Sequence, residues 1–508
     1  MSSALFRTKS IDLLLEEAEQ PERRLKKTLG LLSLTALGIG AIIGSGIFIL
    51  TGTAAAGEVV RYPSLLKAPL LDVLLHGHNA VGVAGRPGAG PAIALSFLLV
   101  AFACGLAGLC YAELASMIPI AGSAYTYTYA TLGELVAWII GWDLILEYAV
   151  SNMAVAVGFS AYVDSLLAGF GLHLPPALST PAYSPATGWA PHFNLPGFVL
   201  VMLLTVLLVI GIRESAEANN LMVAVKIAAI AIFVAAGWKH IQPANWHPWM
   251  PNGWQGVLTG GAIVFFTYIG FDSVSTAAEE CRNPRRDLPL GILFSLAVCA
   301  VLYVSVALVL TGIQPWYRLR NAAPVATALE AIGLTGVERW VTLGALMGMV
   351  SSILVFQLGQ ARVWFAMARD GLLPAAFARV HRRFRTPDIA TWVAGVVVAI
   401  PSGIFDIGTL ADLSNIGTLF AFILVSLAVL ILRRTQPERP RAFRVPLSPW
   451  IPLASVACCL VLMASLTVEN WVRFFVWLVI GLVIYFTYGR HHSRLERSQP
   501  VAAGQQKS

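Results

Sequence analysis

Twelve apolar stretches divide this chain, each near the roughly 20 residues that a helix needs to cross a bilayer. They lie at residues 29–53, 90–116, 132–168, 195–213, 216–238, 255–278, 289–312, 339–368, 388–404, 408–432, 447–467 and 471–488. The third is long enough to project beyond the bilayer. A soluble fold of 508 residues has no place for so much apolar surface. Hydrophobic residues make up 57% of the chain and charged ones only 12%, against about 25% charged in ordinary soluble proteins. The pattern predicts an all-α membrane protein with twelve transmembrane helices. Six cysteines are too few and too scattered for a disulfide framework. Cys104, Cys110, Cys299, Cys458 and Cys459 lie inside apolar runs, where a free thiol is a small hydrophobe.

The charges orient this bundle. With the N-terminus in the cytoplasm, 24 of the 34 Lys and Arg residues fall on that side and 8 on the other, leaving Lys226 and Arg362 within or at the end of runs. Such a bias predicts a multi-pass protein of the cell (inner) membrane with both termini cytoplasmic. The net charge of +7 therefore marks a face. The Arg379–Arg385 and Arg433–Arg444 clusters face anionic lipid, and no nucleic-acid partner is expected. Residues 1–28 form a cytoplasmic N-terminal segment mixing Glu16 and Glu17 with Arg23, Arg24, Lys26 and Lys27. That mixture argues against a cleaved signal peptide, although Ala54-Ala55-Ala56 imitates a cleavage site. Residues 10–19 read either as an amphipathic helix on the membrane surface or as a solvated tail.

A helix in lipid is not interrupted without cause. Span 1 contains Gly38-Ile39-Gly40-Ala41-Ile42-Ile43-Gly44-Ser45-Gly46-Ile47-Phe48, and each glycine weakens a helix by roughly 1 kcal/mol relative to alanine. Close packing through small residues would also use these glycines. Unwinding at Gly44-Ser45-Gly46 does more. It frees N–H groups at the start of a second half-helix, a carboxylate site, and carbonyls near Ile42 and Ile43 that can receive an ammonium. Span 6 repeats the defect in Phe265-Phe266-Thr267-Tyr268-Ile269-Gly270-Phe271-Asp272. Two Gly-interrupted segments at corresponding places in two halves point to a transporter binding site. Five spans separate them, and an odd number makes the second repeat inverted. The expected organisation is one repeat over 29–239 (helices 1–5), its inverted partner over 255–433 (helices 6–10), two appended helices over 447–488 and a cytoplasmic tail over 489–508.

Charges inside apolar runs are costly and are functional by default. Lys226 stands in Leu221-Met222-Val223-Ala224-Val225-Lys226-Ile227, just under two turns past Asn219. It either snorkels to the interface or works inside the bundle, loading and unloading a proton or filling a cation position between helices. Asp143 and Glu147, four residues apart, share one helix face, as structural partners or as part of a proton route. Glu113, Asp272 and Asp412, near helix ends or breaks, suit structural hydrogen-bond anchors equally well. All nine histidines lie outside the runs, which disfavours an intramembrane metal hydrolase or a haem protein. The chain has no Walker-type phosphate loop. No metal site and no cofactor are expected, and a proton gradient is the expected energy source. Between spans 2 and 3, Met117-Ile118-Pro119-Ile120-Ala121-Gly122-Ser123-Ala124-Tyr125-Thr126-Tyr127 reads as a loop without basic charge.

The chain resembles the amino acid–polyamine–organocation superfamily, most closely its cationic amino acid transporter branch with the bacterial proton-coupled permeases. The span 1 glycine motif carries this resemblance together with Cys110-Tyr111-Ala112-Glu113-Leu114, Pro119-Ile120-Ala121-Gly122-Ser123-Ala124-Tyr125, Gly141-Trp142-Asp143-Leu144-Ile145-Leu146-Glu147-Tyr148, Phe266-Thr267-Tyr268-Ile269-Gly270-Phe271-Asp272, Ala366-Met367-Ala368-Arg369-Asp370-Gly371-Leu372-Leu373 and Ser414-Asn415-Ile416-Gly417-Thr418-Leu419. It implies a leucine-transporter-type fold importing L-amino acids by alternating access, without enzymatic activity. By the same resemblance the substrate carboxylate would meet the amides of Gly44, Ser45 and Gly46. Its ammonium would meet carbonyls of Ile43, Phe266, Thr267 and Ile269, and Phe271 would be an aromatic gate. Lys226 matches the family lysine that stands where sodium-coupled relatives hold sodium, with Ser351 or Ser352 as its partner. The long outer loop 57–89, with Pro63, His76, Gly77, His78 and Pro87, departs from the family pattern and could cap the outer vestibule. No acid need face a substrate side chain, so neutral, cationic and broad ranges all remain open, as do symport or exchange and the oligomeric state. A major-facilitator sugar or drug transporter is the rival reading, but that class resembles a fold with a basic 2–3 loop. A polytopic membrane enzyme would need a cluster of acids, His or Arg at one face, which the outer loops lack.

Overall fold

A computed structural model describes residues 6–19, 27–58, 64–77, 79–80, 86–168, 170–184, 188–210, 212–321 and 323–494. The expectations placed on Arg23, Arg24, Lys26, Pro63, His78, the side chains of Glu17 and Asp412, and the tail beyond 494 lie outside the described residues.

The fold is almost wholly helical, because apolar runs must satisfy backbone groups within their own segment. In chain order the main helices are α1 (Ile11–Glu19), α2 (Leu31–Ile42), α3 (Thr51–Ala56), α4 (Leu70–His76), α5 (Ile93–Met117), α6 (Ala124–Thr131), α7 (Glu134–Ala168), α8 (Leu195–Ile210) and α9 (Ile212–Trp238). There follow α10 (Gly253–Val264), α11 (Ser273–Thr276), α12 (Pro284–Ile313), α13 (Pro324–Ala331), α14 (Thr335–Arg369), α15 (Asp388–Ile404), α16 (Ile407–Thr435), α17 (Trp450–Ala464) and α18 (Val468–Ile484). Among the described residues, nine helical segments are long and apolar enough to cross a membrane, and α8, α15 and α17 are shorter apolar helices. The described strand pairing is a two-residue ribbon, Tyr183–Ser184 against Gly188–Trp189.

Two helical segments are interrupted, and they are among the innermost. Some 94% of the most apolar part of Gly253–Thr276 is buried and 89% of that of Leu31–Ala56, against 22% for the peripheral Val468–His492. Around them α5 packs on α12, α7 on α14 and α16, and α9 on α14 and α2. Small residues permit the closest approach: a Cβ on Gly344 of α14 would lie 2.0 Å from the Ala229 Cβ of α9.

Three segments differ from their sequence reading. The end of the segment read as a loop, from Ala124, opens α6, of which only the last residue, Thr131, is not buried. Three tyrosines and three threonines kept α6 from reading as apolar, but most of its hydroxyls bond inside the protein, among them Tyr125 to Asp370 (2.6 Å), Tyr129 to Glu134 (3.1 Å) and Thr128 to Ala124 O (2.8 Å), while that of Tyr127 is buried with no partner among the described residues. The seventh span begins at Pro284, five residues earlier than expected; proline at a helix start loses no bond. The 57–89 loop carries α4 and is strapped to the last helix pair by Leu70 N–H to Leu466 O (2.9 Å) and Val468 N–H to Ala68 O (3.1 Å). Residues 11–19 are helical, with Ile11 and Leu14 buried. Arg439 binds the exposed Asp12 carboxylate (2.7 Å) and holds it below the usual carboxylate range.

Candidate functional site

The first interruption follows α2. Its last turn ends at Ile43, where ψ turns to 86°, and the chain resumes as a widened helical turn over Gly46–Leu50. Helix starts leave N–H groups without intrahelical partners, and those of the second half-helix begin at Ser45 and Gly46. The Ser45 hydroxyl is buried with no hydrogen-bond partner among the described residues. Side chains press on the break from α14, from α7 and from the turn after α10. A Cβ on Gly44 would stand 2.7 Å from Ser352 Oγ and 3.4 Å from Val155, and one on Gly46 would stand 2.7 Å from Thr267. Glycine is therefore required at both places.

The second interruption follows α10. A tight turn over Phe265–Tyr268 runs into extended Ile269, and Gly270 takes φ +119° before α11 begins. That φ suits glycine alone, and a Cβ there would meet Ala41 of α2 at 2.6 Å. The two breaks thus touch each other. Tyr303 of α12 ties them: its hydroxyl lies 2.7 Å from Ile42 O and 2.8 Å from Thr267 O, one proton shared between two carbonyls. Sequence reading passed over Tyr303, although a buried tyrosine in an apolar run needs a partner for its hydroxyl.

Lys226 is fully buried and does not snorkel. Its Nζ donates to Gly40 O (2.9 Å), to Ile43 O (3.0 Å) and, more weakly, to Ser351 Oγ (3.5 Å). Gly348 of α14 makes room for the stem, with its Cβ position 3.4 Å from Lys226 Cδ. The carbonyl of Ile43, expected to receive substrate, thus already accepts from Lys226. Ser352 donates instead to Ala41 O (2.9 Å). Phe266 and Thr267 are buried at the break, with the Thr267 hydroxyl on Val264 O (2.7 Å), and Ile269 is buried beside them. Phe271, expected as a gate, packs between Tyr111 (5.6 Å) and Phe422 (4.9 Å), centroid to centroid.

The acids divide into two kinds. Glu113 is a structural anchor: Arg433 binds it (3.0 Å), Arg441 lies 3.2 Å away, and Val445 N–H donates to it (2.7 Å). Asp143 and Glu147 are buried on α7, and none of their four carboxylate oxygens has a hydrogen-bond partner among the described residues. Asp272 accepts from Tyr148 Oη (2.5 Å), and its other oxygen has none. At the Arg-rich face Arg369 pairs with Glu279 (2.9 Å), Arg362 with Glu280 (3.0 Å) and Lys9 with Asp370 (2.7 Å). No group of His, Cys, Asp and Glu suited to a metal ion occurs among the described residues.

Interrupted helices meeting beside a buried lysine, inside a bundle of apolar helices, define a polytopic membrane protein with a central site. Residues 29–487 match the amino acid permease family. The chain belongs to that family, within the amino acid–polyamine–organocation superfamily. It is 47% identical to the branched-chain amino acid permease BcaP of Bacillus subtilis (strain 168), over 98% of this chain and all of the relative. It is 44% identical to the methylthioribose transporter of the same organism, over 97% of this chain and all of the relative. It is 34% identical to the vacuolar cationic amino acid transporter 4 of Arabidopsis thaliana, over 86% of this chain and 68% of the relative. All three relatives are named as permeases or transporters.

Proposed function

We propose that this protein is a secondary active, proton-coupled importer of L-amino acids in the cell membrane, with branched-chain amino acids as its preferred substrates. Twelve spans form two inverted five-helix repeats plus two appended helices, with both termini cytoplasmic. The observation that carries this reading is the meeting of two helix breaks beside the Lys226 ammonium. The amides at Gly44, Ser45 and Gly46 take the substrate carboxylate, as a helix N-terminus favours an anion. Carbonyls at Phe266, Thr267 and Ile269 take the ammonium, with Tyr303 yielding its share of Thr267 O. Lys226, held by two carbonyls of α2 and by Ser351, exchanges the coupling proton, and Asp143, Glu147 and Asp272 form an accessory proton route. The apolar Val155 beside Gly44 favours a neutral branched side chain, in line with the substrate named for the 47% identical relative.

The experiment is a thermal-shift series on the purified protein with each common amino acid and with methylthioribose. A ligand bound only by the folded state raises the unfolding midpoint. Leucine, isoleucine and valine raise it, and Ser45→Phe abolishes the rise while leaving the ligand-free midpoint within a few degrees. Stabilisation by methylthioribose and by no amino acid would overturn the substrate assignment. Unchanged affinity in Ser45→Phe would overturn the site.

A further inference from the structure

We propose that Asn219 of α9 is a positioning residue that makes the Lys226 site selective for the ammonium form and passes that protonation state to α2. The inference rests on the proton-coupling reading above and extends it to a residue that reading leaves out. An ammonium has three N–H donors and no acceptor. Lys226 Nζ faces three oxygens, Gly40 O, Ile43 O and Ser351 Oγ. The carbonyls can only accept. The Ser351 hydroxyl has one proton and could present either that proton or a lone pair, and Asn219 decides which. Ser351 Oγ donates to Asn219 Oδ1 at 2.6 Å, so toward Lys226 it offers lone pairs. Asn219 is itself held, because its Nδ2 donates to Ala36 O at 3.2 Å. A flipped amide would set its oxygen against the Ala36 carbonyl. The whole chain therefore points one way, from Lys226 through Ser351 and Asn219 to Ala36.

A neutral amine has two donors and one lone pair. To satisfy that lone pair Ser351 must turn its proton to Nζ, which strands Asn219 Oδ1 in a buried place without a donor. An acceptor left unmade in the interior is costly, so the network favours the charged lysine. The same amide touches the moving part. Ala36 and Gly40 both belong to α2, and a Cβ on Gly40 would lie 2.6 Å from Asn219 Oδ1. Loss of the proton thus loosens the grip of α9 on the half-helix that leads into the first break. The groups facing Lys226 are few. From α12 comes the Cys299 thiol; α2 contributes carbonyls, and α14 contributes Ser351 and Gly348.

The test is the pH profile of leucine uptake into proteoliposomes at fixed membrane potential. Four variants are compared with wild type: Asn219→Leu, which removes the acceptor, Asn219→Asp, which keeps it, Ser351→Ala and Lys226→Met. Asn219→Leu and Ser351→Ala move the alkaline limb acidward by about one pH unit, tenfold in the protonation equilibrium. Asn219→Asp restores the wild-type limb or moves it alkaline. A uniform loss of rate with an unmoved midpoint in Asn219→Leu means Asn219 is only structural and overturns the proposal. If Asn219→Leu does not reach the membrane, an unmoved midpoint in Ser351→Ala overturns it equally. A flat wild-type profile, together with normal accumulation by Lys226→Met, instead removes the proton-coupling reading on which the proposal stands.

Discussion

Gly270 shows how much of the site hangs on single residues. Its φ of +119° is closed to residues with a side chain, and the missing Cβ is what lets the second break lie against Ala41. Gly270→Ala therefore carries backbone strain of about 1–3 kcal/mol and pushes the two breaks apart. The purified variant unfolds several degrees lower by intrinsic fluorescence and loses the leucine-induced thermal shift; an unchanged midpoint would mean the breaks do not depend on this contact. Gly44, Gly46, Gly270 and Lys226 were legible in the sequence because glycines and a lysine are out of place in an apolar run. Tyr303 and Gly348 were not. A tyrosine among Leu and Val reads as one more apolar residue, and only the fold brings its hydroxyl within 2.8 Å of carbonyls on two different helices. Gly348 has meaning only once α9 lies alongside and threads a lysine past it.

At the scale of elements, the two interrupted helices work as a pair because α12 ties them. Tyr303→Phe removes the shared proton but keeps the ring packed on Phe97 (5.5 Å) and Tyr268 (5.1 Å). A net hydrogen bond is worth about 0.5–1.5 kcal/mol. Leucine uptake accordingly falls several-fold to tenfold at unchanged protein level in radiolabel assays, and wild-type rates would show that the tie is dispensable. The apolar periodicity located the long helices to within a few residues, since lipid imposes one rule on every exposed segment. It missed α6, whose tyrosines and threonines look polar in sequence, although Tyr125, Tyr129 and Thr128 find Asp370, Glu134 and nearby backbone in the fold. Hydropathy measures a segment against lipid, and α6 is buried in protein.

Across the whole molecule, ion pairs gather at the Arg-rich face and cross-link it. Arg369–Glu279, Arg362–Glu280, Lys9–Asp370 and Glu113 with its arginines join segments distant in sequence. Removing one partner of a buried pair costs about 3–5 kcal/mol through the charge left behind, so Arg362→Ala opens this face more often. Cys281, buried where its segment pairs with Leu29, reports the opening: a membrane-permeant maleimide labels it several-fold faster in Arg362→Ala by mass spectrometry, whereas equal rates would mean the pair does not hold the face shut. Charge counting could mark this face but could not foresee which arginines turn inward to pair. In sodium-free proteoliposomes with an acidic exterior, wild type accumulates leucine above its external concentration, and Lys226→Met only equilibrates it or fails to move it. Uphill accumulation by Lys226→Met, or a strict need for sodium in wild type, would contradict the claim that Lys226 couples transport to protons.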